Sequence, residues 1–462
     1  MAKPICVEAT IEKRGIDIIV DGCVLPIVYP RRVWQAYPQE LKEVLRDNIA
    51  LSSTYFVPQI LDQSYISYST ARPSSEAFLF KNGIYDMPNS ALTDGASSMS
   101  YLIKFLNTVA TFQNNDIRFP VIDTHHHSKE ENMVIPFTFG KDSLLTAALA
   151  QEIGIKPNLV YFIEPAHLYE YQHKKQLMKS FFEKTGLVVE EVKYGPGRMR
   201  YGGLWNKKTE LGWGLQTTEY ALMTLPFLYL YKAMYIGLGN EHSCGEAGLN
   251  EEGVLTHWTG YDQHPDWTSQ QSLLVSLVGG VPRRVVSLVE PLHEIAEVAI
   301  LHRRYLEFGQ FQTSCLAIGQ GAEENRWCQR CEKCGAMYTF LKALDIDVKK
   351  IGFTEDLFDK EHIKLFTHLF NTKEPALYYA VEEEIYLAMY LALKRGCDGE
   401  VLRVFAEKVL PRLKRPISQY AQEFFAAHPT NNLPHDISKQ LFRIYNEELD
   451  KIKLEIKALA GS

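Results

Sequence analysis

Short apolar runs separated by glycine and charged residues dominate the start of the chain. Residues 7–10, 16–20 and 24–28 are rich in Val and Ile and are separated by such turns, which is typical of a small antiparallel sheet. Residues 40–53 carry apolar positions at the spacing of a helix. The pattern therefore predicts a separate N-terminal α+β region over residues 1–120.

The middle of the chain alternates between strand-like and helix-like segments. Residues 134–139 are apolar, enter a short turn and precede an Ala- and Leu-rich segment with helical spacing. A long apolar helix is expected over residues 217–234. Further strand-like runs are 159–163, 187–192 and 235–239. This alternation predicts an α/β domain with a mostly parallel sheet over residues 121–350, in which ligands bind beyond the carboxyl ends of the strands.

Apolar residues recur at intervals of three and four in the last part of the chain, with charged residues between them. The segments are 380–394, 401–413 and 437–459. This spacing is typical of amphipathic helices. We expect a helical C-terminal region over residues 351–462.

The turn after residues 134–139 is a candidate phosphate site. It reads Gly140, Lys141, Asp142, Ser143, and the first amides of a helix can bind phosphate because they lack intrahelical partners. Lys141 would add a point charge, and Asp142 could orient Mg²⁺ or the loop itself. The alternative is an ordinary strand-to-helix turn with Asp142 or Ser143 as the N-cap.

Four cysteines lie close together in the sequence and form a candidate zinc site. Cys315, Cys328, Cys331 and Cys334 follow the pattern C-x12-C-x2-C-x2-C. Four thiolates close a tetrahedral shell around Zn²⁺ and leave no position for water, so such a zinc would be structural. Buried or free thiols and an iron–sulfur cluster are the alternatives.

Composition and charge exclude several classes of protein. The 462 residues are 46% hydrophobic and 23% charged, with a formal net charge of −7, which argues against nucleic acid as the main partner. The start of the chain has no secretory apolar segment, and the most apolar window, 220–239, is interrupted by Pro226 and Lys232. We therefore expect a cytoplasmic protein with no membrane partner.

The phosphate-loop candidate and the cysteine pattern together resemble the PP-loop ATP pyrophosphatase superfamily, which includes the 7-cyano-7-deazaguanine synthases. The chain is more similar to the UDP-N-acetylmuramoyl-L-alanyl-L-glutamate epimerases, over residues 60–375. Thr138 and Phe139 stand where that family has two small residues. The matching segments are 140–143, 239–246, 287–294, 311–315 and 327–334. In place of residues 239–246 the family has S-N-E-R-S-A-S-E.

The resemblance implies an ATP-dependent epimerase for peptidoglycan precursors. Its small-molecule substrate would be a UDP-linked muramyl dipeptide or another carboxylate. The carboxylate would attack ATP, with Mg²⁺ bound, to give an acyl-adenylate and diphosphate. The acidified Cα proton would then be removed and returned to the opposite face before AMP is released. The implied nucleotide and substrate contacts are Gly140, Lys141, Asp142, Ser143, Asn240 and Ser243, and the implied catalytic residues are Asp142, Glu241, His242 and Cys244.

Several alternatives stay open at the level of sequence. A related ligase or base-modifying enzyme would use the same adenylate, and a non-catalytic scaffold would only bind the nucleotide. Glu241 could instead stabilise a helix N-terminus, and His257 or His264 could move the proton. Arg198 and Arg200 could clamp an anion or lie on a solvated loop.

Overall fold

One mixed sheet carries most of the strands. The computed structural model describes residues 4–120, 128–166, 169–257, 259–314, 322–370 and 381–461. The ten strands of the sheet have the order β12-β9-β6-β7-β8-β3-β2-β1-β4-β5, and β10 and β11 pair separately. The strands are β1 Ile5–Glu12, β2 Gly15–Val20, β3 Cys23–Val28, β4 Tyr65–Arg72, β5 Val109–Ile117, β6 Lys129–Pro136, β7 Lys156–Ile163, β8 Val189–Tyr194, β9 Ala233–Leu238, β10 Ala247–Leu249, β11 Leu255–His257 and β12 Arg284–Ser287.

The predicted mixed α/β class with a large, mostly parallel sheet is confirmed. β8, β7, β6, β9 and β12 pair in parallel, and β1, β2 and β3 form the expected antiparallel meander. The meander does not stand apart, because β3 pairs with β8, with Ile27 opposite Tyr194. The strands of residues 1–120 and those of the central region therefore belong to one sheet.

Helices cover both faces of this sheet. They are α1 Arg31–Ala36, α2 Gln39–Thr54, α3 Val57–Leu61, α4 Glu76–Thr93, α5 Ser98–Leu106, α6 Lys141–Glu152, α7 Glu170–Thr185, α8 Gln216–Met223, α9 Leu225–Tyr231, α10 Pro265–Gly279, α11 Glu294–Arg303, α12 Leu306–Gly309, α13 Glu332–Ala343, α14 Thr367–Phe370, α15 Glu382–Lys394, α16 Glu400–Val404, α17 Ile417–Phe424 and α18 His435–Gly461. Within the described part of the chain, no helix combines the length and the apolar character needed to cross a membrane.

The prediction of a single helix over residues 217–234 is wrong. The segment divides at Thr224 into α8 and α9, with Pro226 in the first turn of α9, where its missing N–H costs least. Lys232 then adopts a left-handed conformation with φ 53° and ends α9. Strand β9 consequently begins at Ala233, before the predicted end of the helix.

The two faces of the sheet border different hydrophobic cores. Met133 and Ile135 of β6 pack in a core with α6, α11, α13 and the C-terminal helices. Val134, which points to the opposite face, packs in a core with β1 to β3, α2 and α8. The expected helical C-terminal region thus covers one face of the sheet, and N-terminal elements cover the other.

Candidate functional site

The carboxyl ends of the parallel strands meet at a cavity. A cavity of about 350 Å³ lies beyond the ends of β6 and β7, which is where open α/β sheets bind ligands. The predicted phosphate loop contributes Thr138, Gly140 and Asp142 to its lining. Gly140 is the N-cap of α6, so the first amides of that helix lie at the cavity wall.

The loop holds its shape without closing the cavity. Phe139 has a left-handed backbone with φ 59°. Its buried ring packs 4.8 Å from the Phe137 ring and 5.5 Å from the Phe181 ring. The Ser143 hydroxyl accepts a hydrogen bond from the Thr138 amide at 3.2 Å. The bulky side chain at 139 is therefore directed into the core.

Cations and aromatic rings form the other walls of the cavity. Lys174 donates a hydrogen bond to the carbonyl oxygen of Thr138 and lies 3.4 Å from Glu170. Lys333, in the first turn of α13, also lines the cavity. The sequence offered no local signal for Lys174, because its position on α7 approaches the loop only in the folded chain. The remaining aromatic and acidic lining residues are Tyr161, Phe162, Tyr201, Trp213, Tyr220, Glu164 and Glu210.

Lys141 does not reach into the cavity. Its ammonium nitrogen lies 3.0 Å from Glu294 and 3.1 Å from Glu297 and also contacts Asp142. Burial opposes its charge, but these three carboxylates hold the pKa of Lys141 well above its usual value. The Lys141 side chain is 2% exposed, whereas that of Asp142 retains 30%. In this structure, Lys141 balances buried acids, and Asp142 faces the cavity.

The segment after β9 forms a compact polar turn. Glu241 accepts hydrogen bonds from the Ser243 amide at 2.8 Å and from the Ser243 hydroxyl, and the Cys244 sulfur lies 3.9 Å from a Glu241 oxygen. Burial and the nearby Glu294 raise the pKa of Glu241 to about 8. Burial also raises the pKa of Cys244 well above its usual value. Glu241 is the N-cap of the short 3-10 helix His242–Gly245, and its side chain accepts the hydrogen bond from the Ser243 amide. This contact is the helix N-terminal role that the sequence offered as an alternative for Glu241.

Other residues predicted for this site lie outside the cavity lining. Asn240 is buried and donates a hydrogen bond to the Thr268 hydroxyl at 3.2 Å. The ring of His242 packs against His293 and His428, and burial lowers the pKa of His242 to about 4, so this imidazole is neutral near pH 7. The alternatives His257 and His264 pack against Tyr261.

The three described cysteines of the predicted zinc site converge. Cys328, Cys331 and Cys334 are buried, with Sγ separations of 3.8 Å between Cys328 and Cys334 and 3.4 Å between Cys331 and Cys334. A tetrahedral zinc site with Zn–S bonds of 2.3 Å requires about 3.8 Å between sulfurs. The cluster could thus hold a metal such as zinc. Cys315, the fourth predicted ligand, lies outside the described residues.

Arg200 is a structural cation. Its guanidinium lies 3.2 Å from Glu164 and 2.5 Å from Glu219, and all three residues are buried. The Tyr220 hydroxyl donates to Glu164 at 2.8 Å, so this network holds one wall of the cavity. The solvated-loop interpretation is wrong for Arg200 but correct for Arg198, which is exposed.

Comparison of the chain with protein-family models gives no match, and a search of curated proteins likewise finds no match. The resemblance to the glutamate epimerases therefore rests on the short matching segments given above. The cavity, the loop and the two residue clusters are the basis for any functional conclusion.

Proposed function

We propose that the protein is an ATP-dependent enzyme that activates a carboxylate as its adenylate, releasing diphosphate and then AMP. One observation carries the proposal. Thr138, Gly140 and Asp142 of the loop line a single cavity at the carboxyl edge of the sheet, together with the cations Lys174 and Lys333. Amides at a helix start together with two ammonium groups suit a polyphosphate.

The residues of the cavity would divide the work of nucleotide binding. The first amides of α6 and the two lysines would neutralise charge that develops as diphosphate leaves. The partly exposed Asp142 carboxylate offers the oxygen ligands that Mg²⁺ prefers. Burial raises the pKa of Asp142, but the charge of Lys141 lowers it by more, so this pKa stays below its usual value. Asp142 would hold Mg²⁺, which would supply positive charge to the leaving diphosphate. The aromatic wall offers surfaces for the base.

The preferred substrate class is an N-acylated glutamate in a UDP-linked muramyl dipeptide, with epimerisation at Cα. An acyl-adenylate acidifies the neighbouring Cα–H, which a free carboxylate does not. Inversion needs one acid–base group on each face of Cα. Glu241 and Cys244 lie together, at 3.9 Å, so they would serve one face only, and a second group would return the proton to the other. Another carboxylate substrate would use the same activation step. A cytoplasmic location would supply both ATP and nucleotide-linked precursors.

Zinc in the cysteine cluster would hold the start of α13 in place. Cys334 lies in the first turn of this helix beside Lys333, which lines the cavity. The metal would thus be structural and would act on catalysis only through the position of Lys333.

The test is incubation of the full-length protein with ATP, Mg²⁺ and the muramyl dipeptide substrate in D₂O. Release of AMP and diphosphate with deuterium at Cα is the expected result. AMP release without deuterium uptake would support a ligase instead. Absence of AMP at saturating substrate would refute activation altogether.

A pair of variants tests the assignment of the cavity. D142N should abolish AMP release, because Asp142 lines the cavity. D266N is the control, since the Asp266 side chain is 77% exposed at the start of α10. Equal rates for the two variants would remove Asp142 from the reaction.

A further inference from the structure

Three histidines from separate segments converge at one place. His242 follows β9, His293 precedes α11, and His428 lies between α17 and α18. The ring centroid of His242 is 4.8 Å from that of His293 and 3.9 Å from that of His428, and the last two are 4.9 Å apart. One nitrogen from each ring lies within 4.8 Å of the others. We propose that this histidine cluster binds one divalent transition-metal ion, with Zn²⁺ as the reference ion.

Two of the rings have their second nitrogen satisfied by a backbone carbonyl. The His242 ring donates a hydrogen bond to the carbonyl oxygen of Glu290. Nε2 of His428 donates to the carbonyl oxygen of Glu423 at 3.1 Å. Metal-ligating histidines use their other ring N–H in this way, which fixes the ring and leaves one nitrogen for the ion.

The third ring has a carboxylate behind it. His293 is buried, and its Nδ1 lies 3.3 Å from Oε1 of Glu384. Glu384 is also buried and accepts a hydrogen bond from the Ile295 amide at 2.9 Å through its other oxygen. Glu384 is therefore anchored at the start of α11. Neither His293 Nδ1 nor Glu384 Oε1 makes a hydrogen bond among the described residues, so Glu384 would accept the ring N–H once the ring turns toward the ion, as carboxylates do behind zinc-bound histidines.

The donor set selects the class of ion. Three imidazole nitrogens suit Zn²⁺, Co²⁺ or Ni²⁺, whereas Mg²⁺ and Ca²⁺ prefer oxygen ligands. A tetrahedral site needs about 3.3 Å between nitrogens at Zn–N bonds of 2.0–2.1 Å. The His242 and His428 rings are stacked, with an angle of 17° between their planes, so one of them must rotate, as well as approach the others, when the ion binds. His242 and His428 are half-buried, which gives the ion a route from solvent. Three protein ligands leave a fourth position for water or an anionic group.

Metal binding at the histidine cluster is independent of ATP use, so it can be tested on its own. The full-length protein is dialysed against Zn²⁺ and then against metal-free buffer, and zinc is counted by mass spectrometry. H428Q and H242Q each remove one ligand and should hold one zinc fewer than the wild type. Both rings are half-buried, so their replacement should leave the hydrophobic core intact. H435Q is the control, since His435 is 90% exposed and should keep the wild-type count.

Cobalt separates this site from the cysteine cluster. Co²⁺ added to protein that carries a single zinc, in the cysteine cluster, should give absorption typical of nitrogen ligands, without thiolate charge transfer, and H428Q should lose it. E384Q should weaken Co²⁺ binding by about 10–100-fold, as a positioning residue behind a ligand does. Equal zinc counts in the wild type and H428Q, or cobalt absorption from thiolates alone, would show that the three rings only pack together and would overturn the proposal.

Discussion

Replacing Arg200 with Met should destabilise the protein more than any change at an exposed position of the same loop. The guanidinium is buried between Glu164 and Glu219, at 3.2 and 2.5 Å, and lies over the Trp213 ring at 4.9 Å. Methionine retains much of the apolar stem but leaves two buried carboxyl groups without their cation. The loss of unfolding free energy in this variant therefore reports mainly on the ion pairs and much less on packing.

The magnitude follows from burial. Removing one partner of a buried ion pair costs about 3–5 kcal/mol. Burial raises the pKa of Glu219 from 4.5 to about 7, although Arg200 lowers it. A raised folded-state pKa means that the protonated carboxyl favours folding and that this contribution is lost as the pH rises through 7. Without Arg200 the pKa rises further, so the variant should lose about 3 kcal/mol or more at pH 8 and clearly less at pH 5.5.

Urea unfolding followed by tryptophan fluorescence measures this difference. R198M is the matched control, because Arg198 is an exposed residue two positions earlier and should change the unfolding free energy by less than about 0.5 kcal/mol. A double variant, R200M with E219Q, should recover part of the loss because one unpaired carboxylate is gone. The reasoning fails if R200M matches R198M, or if its loss is as large at pH 5.5 as at pH 8.

Three further predictions concern the cavity and the cysteines. A Cβ at Gly239 would stand 2.5 Å from Cβ of Asp142, whereas one at Gly248 would meet no atom within 4 Å. G239A should therefore weaken ATP binding about tenfold or more, and G248A should leave it unchanged, as measured by calorimetry. Burial and the charge of Asp94 raise the pKa of Glu210 to about 7. ATP affinity measured by calorimetry should therefore fall from pH 6 to pH 8 as this cavity carboxyl ionises, and E210Q should remove that pH dependence. C331S should lower the zinc content by one and reduce the unfolding temperature in calorimetry, as chelation of the wild type should.

Local patterns in the sequence were sufficient to predict the elements that build the cavity. Residues 134–150 read as strand, turn and helix. Strand β6, Lys129–Pro136, begins five residues before that segment and ends inside it, and α6, Lys141–Glu152, begins at the predicted turn. The meander over residues 7–28 was equally predictable, because alternating apolar residues and tight turns are local signals. Its pairing with β8 was not, since any edge strand presents the same unpaired backbone groups.

The cysteine spacing was the most informative pattern in the chain. Two-residue spacers bring neighbouring thiols together within a single turn, so the cluster of Cys328, Cys331 and Cys334 follows from sequence alone. The histidine cluster had no such signal. Its members are separated by 51 and 135 positions, from 242 to 293 and from 293 to 428, and only the folded sheet edge brings them together.

Lys141 shows why residue type does not fix a role. A lysine beside a glycine-containing turn suggests a phosphate contact, yet its partner Glu297 lies 156 residues away and cannot be inferred locally. Because Lys141 does not line the cavity and Lys174 and Lys333 do, phosphate would meet the latter two ammonium groups. Asp142 contacts Lys141 on one side and lines the cavity on the other. Lys141 would thus serve nucleotide binding indirectly, by keeping Asp142 charged where Mg²⁺ would bind.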